Sequence, residues 1–234
     1  MNTKTLLKKI NLSEQDFAEI KEVVKKAESK TSGEIALALT AESAKYSFWE
    51  LKGAIYFAAI VFALLLPFAS KILHLYEARF WSQPVWFLPL IYGMTCLVAI
   101  FLGFACANIP VIDRIVIPAN VKKHTVTNRA FRHFAQSGIY NTKEHSGILI
   151  FVSYMERQVR ILADSGISAK ISQDLWNIIA DDLASGIKAG KTKEGFIAAV
   201  EKCGELLQEH FPCGEENPNE LPDGLVILED SECL

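Results

Sequence analysis

GILIFVS, residues 147–153, is the clearest β-strand in this sequence. It is a short, almost wholly apolar run containing three β-branched or aromatic residues in a row, which predicts a β-strand. The run QVRILA, residues 158–163, alternates in polarity and predicts the next strand. Only residues 154–157 separate the two runs, so we expect an antiparallel hairpin.

Segments with the spacing of amphipathic helices surround this hairpin. Apolar residues recur at helical intervals over residues 121–136 before the hairpin and over 175–188 and 193–210 after it. A further helix is expected over residues 14–30, where Ser13 is a candidate N-cap. Strands and helices in this order predict an α/β domain.

One predicted strand lies far from the others in the sequence. The stretch EIALALT, residues 34–40, reads as a short buried strand, but no other strand is predicted near it. A single strand is not stable alone, so we expect it to pair in parallel with the strand at 147–153. The α/β domain is therefore predicted to be discontinuous, built from residues 13–40 and 119–211.

Two long runs without a charged residue, 53–69 and 85–109, separate the halves of this domain. A bilayer core of ~30 Å requires roughly 20 apolar residues in a helix, so we predict a transmembrane hairpin over 49–110 with spans at about 51–70 and 85–109. Aromatic residues near the ends, including Trp49 and Trp86, favour the headgroup region. Two buried core helices are the alternative, but such helices normally carry polar residues in every turn.

Lysine and arginine residues near the spans predict the orientation. The link between the runs carries Lys71 and Arg79, whereas the outer flanks carry a larger set: Lys45, Lys52, Arg114, Lys122, Lys123, Arg129 and Arg132. This bias predicts two spans in the cytoplasmic (inner) membrane with both termini in the cytoplasm. No signal peptide is predicted, because the N-terminus lacks an apolar region followed by a small-residue cleavage site.

The remaining composition limits the classes of function. Net charge is −3, which does not favour nucleic acid as a partner. The five cysteines contain no CxxC pair, as suits a reducing compartment. Residues 212–234 form an acidic tail that we expect to be loosely ordered, with 225–228 docking as a strand or onto a groove.

Several motifs are candidate sites. SGIKAGKT, residues 185–192, approaches a phosphate-binding loop, but it lacks the first glycine and follows a helix, so a helix-to-helix turn with Gly186 or Gly190 at a C-cap is favoured. Asp181 and Asp182 diverge by about 100° on a helix and favour a surface role. No nucleophile with an adjacent base is recognisable.

Two further places offer ligands or charge. Asp164 directly follows a predicted strand and is a candidate ligand for a hard cation such as calcium, the alternative being a turn stabilised by its side chain. Glu144 and His145 precede a strand and offer metal ligands or a proton-transfer pair, although a solvated turn is favoured. Arg157 and Arg160 are candidates for receiving an anion, with a salt bridge to Glu156 as the simpler account.

The order of several motifs resembles that of the TPM domain family, particularly its membrane-associated branch. The resemblance rests on KTSGEI at 30–35, SGILIFV at 146–152, ERQVRI at 156–161, GIKAG at 186–190 and the stretch from Cys203 to Pro212. It covers about residues 13–40 and 119–211. Where many members have Asp-Asn-Gly and Gly-Tyr-Gly, this chain has His145-Ser146-Gly147 and Asp164-Ser165-Gly166.

The resemblance implies a three-layer α/β/α sandwich around a small mixed sheet, here interrupted by the membrane hairpin. It also implies divalent cations, calcium or magnesium, acid phosphatase activity, or help in assembling membrane complexes. Our first hypothesis is a binding or assembly module at the cytoplasmic membrane surface, whose partners are the bilayer and another membrane or membrane-associated protein. The alternative is a metal-assisted phosphoric ester hydrolase with Glu34, Glu144 and Asp164 as ligands. A transporter accessory role is the least favoured hypothesis.

Overall fold

A computed structural model describes residues 3–80, 84–107, 109–142, 145–213, 221 and 224–229. The helices are α1 (Thr3–Ile10), α2 (Glu14–Glu28), α3 (Ser47–Leu65), α4 (Ala69–Glu77), α5 (Phe87–Ala107), α6 (Pro110–Val116), α7 (Ala119–Gln136), α8 (Ser165–Ser168), α9 (Gln173–Lys188) and α10 (Thr192–His210). The strands are β1 (Glu34–Thr40), β2 (Gly147–Ser153), β3 (Gln158–Ala163) and β4 (Leu225–Leu228). Short 3₁₀ turns occur at Leu66–Phe68 and Ile139–Asn141.

The four strands form one mixed sheet in the order β3-β2-β1-β4. β1 is parallel to β2, with Glu34 opposite Gly147 and Thr40 opposite Ser153, so the predicted long-range pairing is confirmed. β2 and β3 are antiparallel, as their four-residue connection predicts. β4 adds to β1 in parallel, which places residues 225–228 of the predicted tail in the sheet as a strand.

One face of the sheet is covered by α1, α2, α9 and α10. Because side chains alternate along a strand, Ile35, Leu37 and Leu39 of β1 all point to this face. The buried side chains of the helices that pack against this face include Ile20, Val24, Trp176, Leu183, Phe196, Val200 and Leu207. Helix α2 begins at the predicted cap, where Ser13 and Asp16 form a capping box.

The opposite face is covered by α7 and the turn at Ile139. Here Ala38 of β1 and the buried Leu149 and Phe151 of β2 pack against Val126 and Ala130. The two helical layers with the sheet between them make the three-layer α/β/α sandwich that the sequence predicted.

The chain divides into two compact units, Met1–Lys45 with Asn120–Leu234, and Tyr46–Ala119. In the second unit α3 and α5 pack antiparallel: a Cβ on Gly103 would lie 3.1 Å from the Ala54 Cα, and the Tyr92 hydroxyl donates to the Leu65 carbonyl oxygen at 3.0 Å. Small residues at the contact allow close helix approach. Many of the large apolar side chains on these helices, among them Ile60 and Phe101, are exposed.

Two helices are long and apolar enough to cross a membrane, Ser47–Glu77 and Phe87–Cys106. The first continues through the 3₁₀ turn at Leu66–Phe68 and extends seven residues beyond the expected end at Ser70, into the predicted link. Pro67 falls in the first turn of this short segment, where the backbone donor it lacks is not needed. The two apolar helices expose apolar side chains, whereas a helix of a soluble protein turns its polar face outward.

Candidate functional site

The predicted ligands Glu34 and Asp164 lie at one edge of the sheet. Glu34 begins β1 and is paired with Gly147, and the backbone N–H of Asp164 donates to the Gly147 carbonyl oxygen at 2.9 Å. Asp164 follows β3, but because β3 is antiparallel it lies where the parallel strands begin rather than where they end. Both side chains are buried, at 2% exposure for Glu34 and 8% for Asp164.

The carboxylate of Asp164 already has two neighbours. Its Oδ1 accepts from the Ser165 backbone N–H at 2.5 Å and caps α8, and its Oδ2 lies 3.2 Å from Nδ1 of His145. His145 is exposed and has a φ of 50°, a left-handed conformation that is uncommon outside glycine. The turn-stabilising role expected as the alternative for Asp164 is therefore present, and its second carboxylate oxygen contacts His145.

The third predicted ligand, Glu144, lies outside the described residues. Among the residues that the structure describes, no three His, Cys, Asp or Glu side chains are grouped closely enough to hold a metal ion. The structure thus brings Glu34 and Asp164 to the same edge, two strands apart, without placing Glu144.

The opposite edge, where β1 and β2 end, holds a buried polar network that the sequence did not reveal. Glu156 accepts from the Ser43 backbone N–H at 2.9 Å through Oε1 and from the Ser153 hydroxyl at 2.5 Å through Oε2. The hydroxyls of Ser43 and Ser153 are 2.8 Å apart. All three side chains are buried, and they tie the β2–β3 turn to the segment that follows β1.

A cavity of about 640 Å³ adjoins this network. It lies between the β2–β3 hairpin, the C-terminal part of α9 and the end of α1, and its lining includes Lys9, Ser153, Arg157, Asp181 and Lys188. No local pattern identifies such a cavity, since Lys9 is far in sequence from the other lining residues, which lie within 152–190. Of the two arginines that the sequence offers as anion contacts, Arg157 and Arg160, Arg157 lines this cavity.

The SGIKAGKT motif forms the predicted helix-to-helix turn. Helix α9 ends at Lys188 and α10 begins at Thr192, and Gly190 between them has a φ of 75°, the left-handed conformation that glycine adopts without steric cost. The neighbouring acids diverge as expected: Asp181 lines the cavity, whereas Asp182 pairs with Lys202 at 2.6 Å.

Burial lowers the pKa of the Arg160 guanidinium on β3, and the nearby carboxylate of Asp181 opposes that shift. Arginine stays protonated in either case, and the opposing shift shows that the Asp181 carboxylate lies near Arg160. Asp181 thus lines the cavity and also interacts electrostatically with Arg160.

Residues 113–206 match a family model described as TPM domain. The fold is similar to the NMR structure of BA42 protein from the psychrophilic bacterium Bizionia argentinensis, with a TM-score of 0.53 and 19% sequence identity over 92% of this chain and 94% of that one. At that identity the likeness shows the fold alone. A search of curated proteins gives no match. The chain therefore carries a TPM domain.

Proposed function

We propose that this protein is a membrane-anchored TPM domain that acts as a binding or assembly module at the cytoplasmic surface of the inner membrane. One observation carries the proposal. The two helices long and apolar enough to span a bilayer are inserted between β1 and β2, which are paired neighbours in the sheet. A domain whose central strands flank the anchor on both sides cannot leave the bilayer once those helices are embedded.

The orientation in this proposal rests on charge. Lysine and arginine residues outside the two apolar runs outnumber those in the link, and such residues are retained on the cytoplasmic side. Both halves of the domain would then lie in the cytoplasm, because both ends of a membrane hairpin are on one side.

The partner in this proposal is another membrane or membrane-associated protein. Helix α9 presents Leu175 and Ile178 to solvent, at 42% and 56% exposure, three residues apart and so on one face of the helix. Apolar side chains of this kind at the centre of a contact contribute to protein–protein affinity when they are buried by a partner. Between them Trp176 points inward and is 1% exposed, so the helix itself is held firmly.

Changing both Leu175 and Ile178 to serine is expected to remove a co-purifying protein from the full chain, extracted from native membranes in mild detergent after brief crosslinking. Loss of two buried apolar contacts weakens binding by about 2–4 kcal/mol. The matched control is Asn177→Ser, an exposed position on the same helix. The binding proposal is wrong if wild-type protein is recovered alone under all extraction conditions, or if both variants retain the same partner.

The second candidate function is the metal-assisted phosphoric ester hydrolase, which the shared location of Glu34 and Asp164 favours. Two buried carboxylates at one edge offer the oxygen ligands that calcium and magnesium prefer. A bound cation would supply Lewis acidity and an activated water. Here Glu34 and Asp164 would hold the ion, and Glu144 is the third proposed ligand.

Titration of the full chain in nanodiscs with calcium or magnesium tests this second function. We expect saturable NMR shifts at the amides of Glu34 and Asp164, with half-saturation on the order of 1 mM, as for weak oxygen-ligand sites. Asp164→Asn is expected to weaken the response at least about tenfold, and Asp182→Asn, an exposed carboxylate on α9, to leave it unchanged. An unchanged spectrum at saturating ion would remove the chemistry on which a hydrolase depends.

A further inference from the structure

The cavity beside the β2–β3 hairpin is cationic, and nothing in the proposed binding role accounts for its charge. Among the described residues that line it, three are positively charged, Lys9, Arg157 and Lys188, and one, Asp181, is negatively charged. Within the described part of the chain none of these three cations forms an ion pair, whereas Lys193 and Lys202 nearby each do. The negative charge of Asp181 also interacts with the positive charge of Arg160. The cavity therefore carries an excess of positive charge.

The three cations come from separate elements that the fold brings together. Lys9 lies in the last turn of α1, Arg157 ends the β2–β3 turn, and Lys188 ends α9. All three are exposed and face a common space. Like charges repel one another, and an anion that entered the cavity would relieve this repulsion.

Arg157 adds an independent observation. Its φ is 53°, and its backbone N–H donates to the Tyr154 carbonyl oxygen at 3.2 Å to close the turn. Glycine would make the same turn without steric cost, whereas arginine adopts this conformation at a cost in free energy. Strained residues of this kind concentrate at ligand-binding positions.

We infer that this cavity binds a phosphate-bearing small molecule, with the phosphate held by Arg157, Lys188 and Lys9. A guanidinium matches two phosphate oxygens at once, and two ammonium groups complete the neutralisation of a dianion. The volume is in the range of small-molecule sites. Val159, Ile187 and the ring of Tyr154 supply an apolar wall for the rest of the molecule.

This anion site differs from the edge that holds Glu34 and Asp164. It adjoins the ends of β1 and β2 rather than their beginnings, and cations rather than carboxylates line it. It needs neither a metal nor a protein partner, so its test and those of the two proposed functions give separate results.

Inorganic phosphate is the probe, titrated into the full chain in phosphatidylcholine nanodiscs at constant ionic strength, with chloride as the balancing anion. We expect saturable NMR shifts confined to residues 154–158 and 185–190, at a dissociation constant on the order of 1–10 mM for a bare phosphate. Arg157→Gln and Lys188→Gln are each expected to weaken binding about tenfold or more. The matched control is Lys26→Gln, which removes the same charge from the exposed surface of α2.

Repeating the measurement in phosphatidylglycerol nanodiscs separates the two sources of phosphate. Shifts at the same residues before phosphate is added would identify a lipid headgroup as the ligand, and shifts only after addition would identify a soluble one. The inference is overturned if phosphate and chloride act alike, if no saturation occurs up to about 50 mM, or if Lys26→Gln weakens binding as much as Arg157→Gln. Unchanged β1 and β2 amides in each variant show that the fold is intact.

Discussion

Replacing Gly147 with alanine is expected to destabilise the domain by about 3 kcal/mol. A Cβ at this position would lie 2.3 Å from the carbonyl oxygen of Ile139 and 2.7 Å from its side chain. The carbonyl oxygen belongs to the backbone and has no rotamer to change, so the 3₁₀ turn or the start of β2 must move. Because β2 is central in the sheet, movement there disturbs the pairing with both β1 and β3.

Hydrogen exchange of the full chain in detergent, followed by mass spectrometry, measures this effect. Amides of β1 and β2 should exchange about 100-fold faster in Gly147→Ala than in the wild type. Gly138→Ala is the matched control: its φ of 76° strains alanine, but no atom lies within 4 Å of the added Cβ. Its expected cost is only about 1 kcal/mol. Equal loss of protection in the two variants would show that the close approach to Ile139 is not the cause.

Replacing Glu156 with alanine is expected to cost about 3 kcal/mol. The change leaves the buried Ser43 N–H and the Ser153 hydroxyl without the carboxylate that accepts from them. It also releases the tie between the β2–β3 turn and the segment after β1, although Tyr154 and Met155 still donate backbone hydrogen bonds to Thr40 and Ala41. Exchange should accelerate most in peptides that contain residues 41–46 and 154–157.

Two variants calibrate that result. Glu156→Gln keeps the side-chain shape and one accepting oxygen, so we expect a loss of about 1 kcal/mol. Glu205→Ala removes an exposed carboxylate from α10 and should change stability by less than about 0.5 kcal/mol. If Glu156→Ala proved as harmless as Glu205→Ala, the network of Ser43, Ser153 and Glu156 would have no part in holding this edge together.

Local sequence patterns were sufficient for most of the sheet. The apolar run at 147–153 and the four-residue connection to 158–163 contain their own pairing information, and both strands lie close to their expected bounds. The parallel partner at 34–40 followed from exclusion, because a lone strand has nothing else to pair with. Helix α1 was not foreseen, since an eight-residue segment such as TKTLLKKI has too few turns for its period to stand out.

The site was less predictable than the fold. Glu34 was a candidate through the resemblance and Asp164 because it follows a predicted strand. Their shared edge is a consequence of the antiparallel β3, which reverses the end at which Asp164 emerges. The cavity could not be foreseen, because Lys9 and Arg157 are 148 residues apart and only the packing of α1 and α9 near the hairpin brings them to one space. Charged residues that meet at a surface only after folding leave no periodic pattern in the sequence.

The pairing of β1 with β2 also has a consequence for the time course of synthesis. Between Thr40 and Gly147 lie 106 residues (147 − 40 − 1), so at about 5–20 residues per second β1 leaves the ribosome roughly 5–20 s before its neighbour exists. During that interval EIALALT is an apolar strand with both edges open to any other chain. A nascent-chain chaperone that shields residues 34–40 would keep β1 from pairing with other chains until β2 has been synthesised.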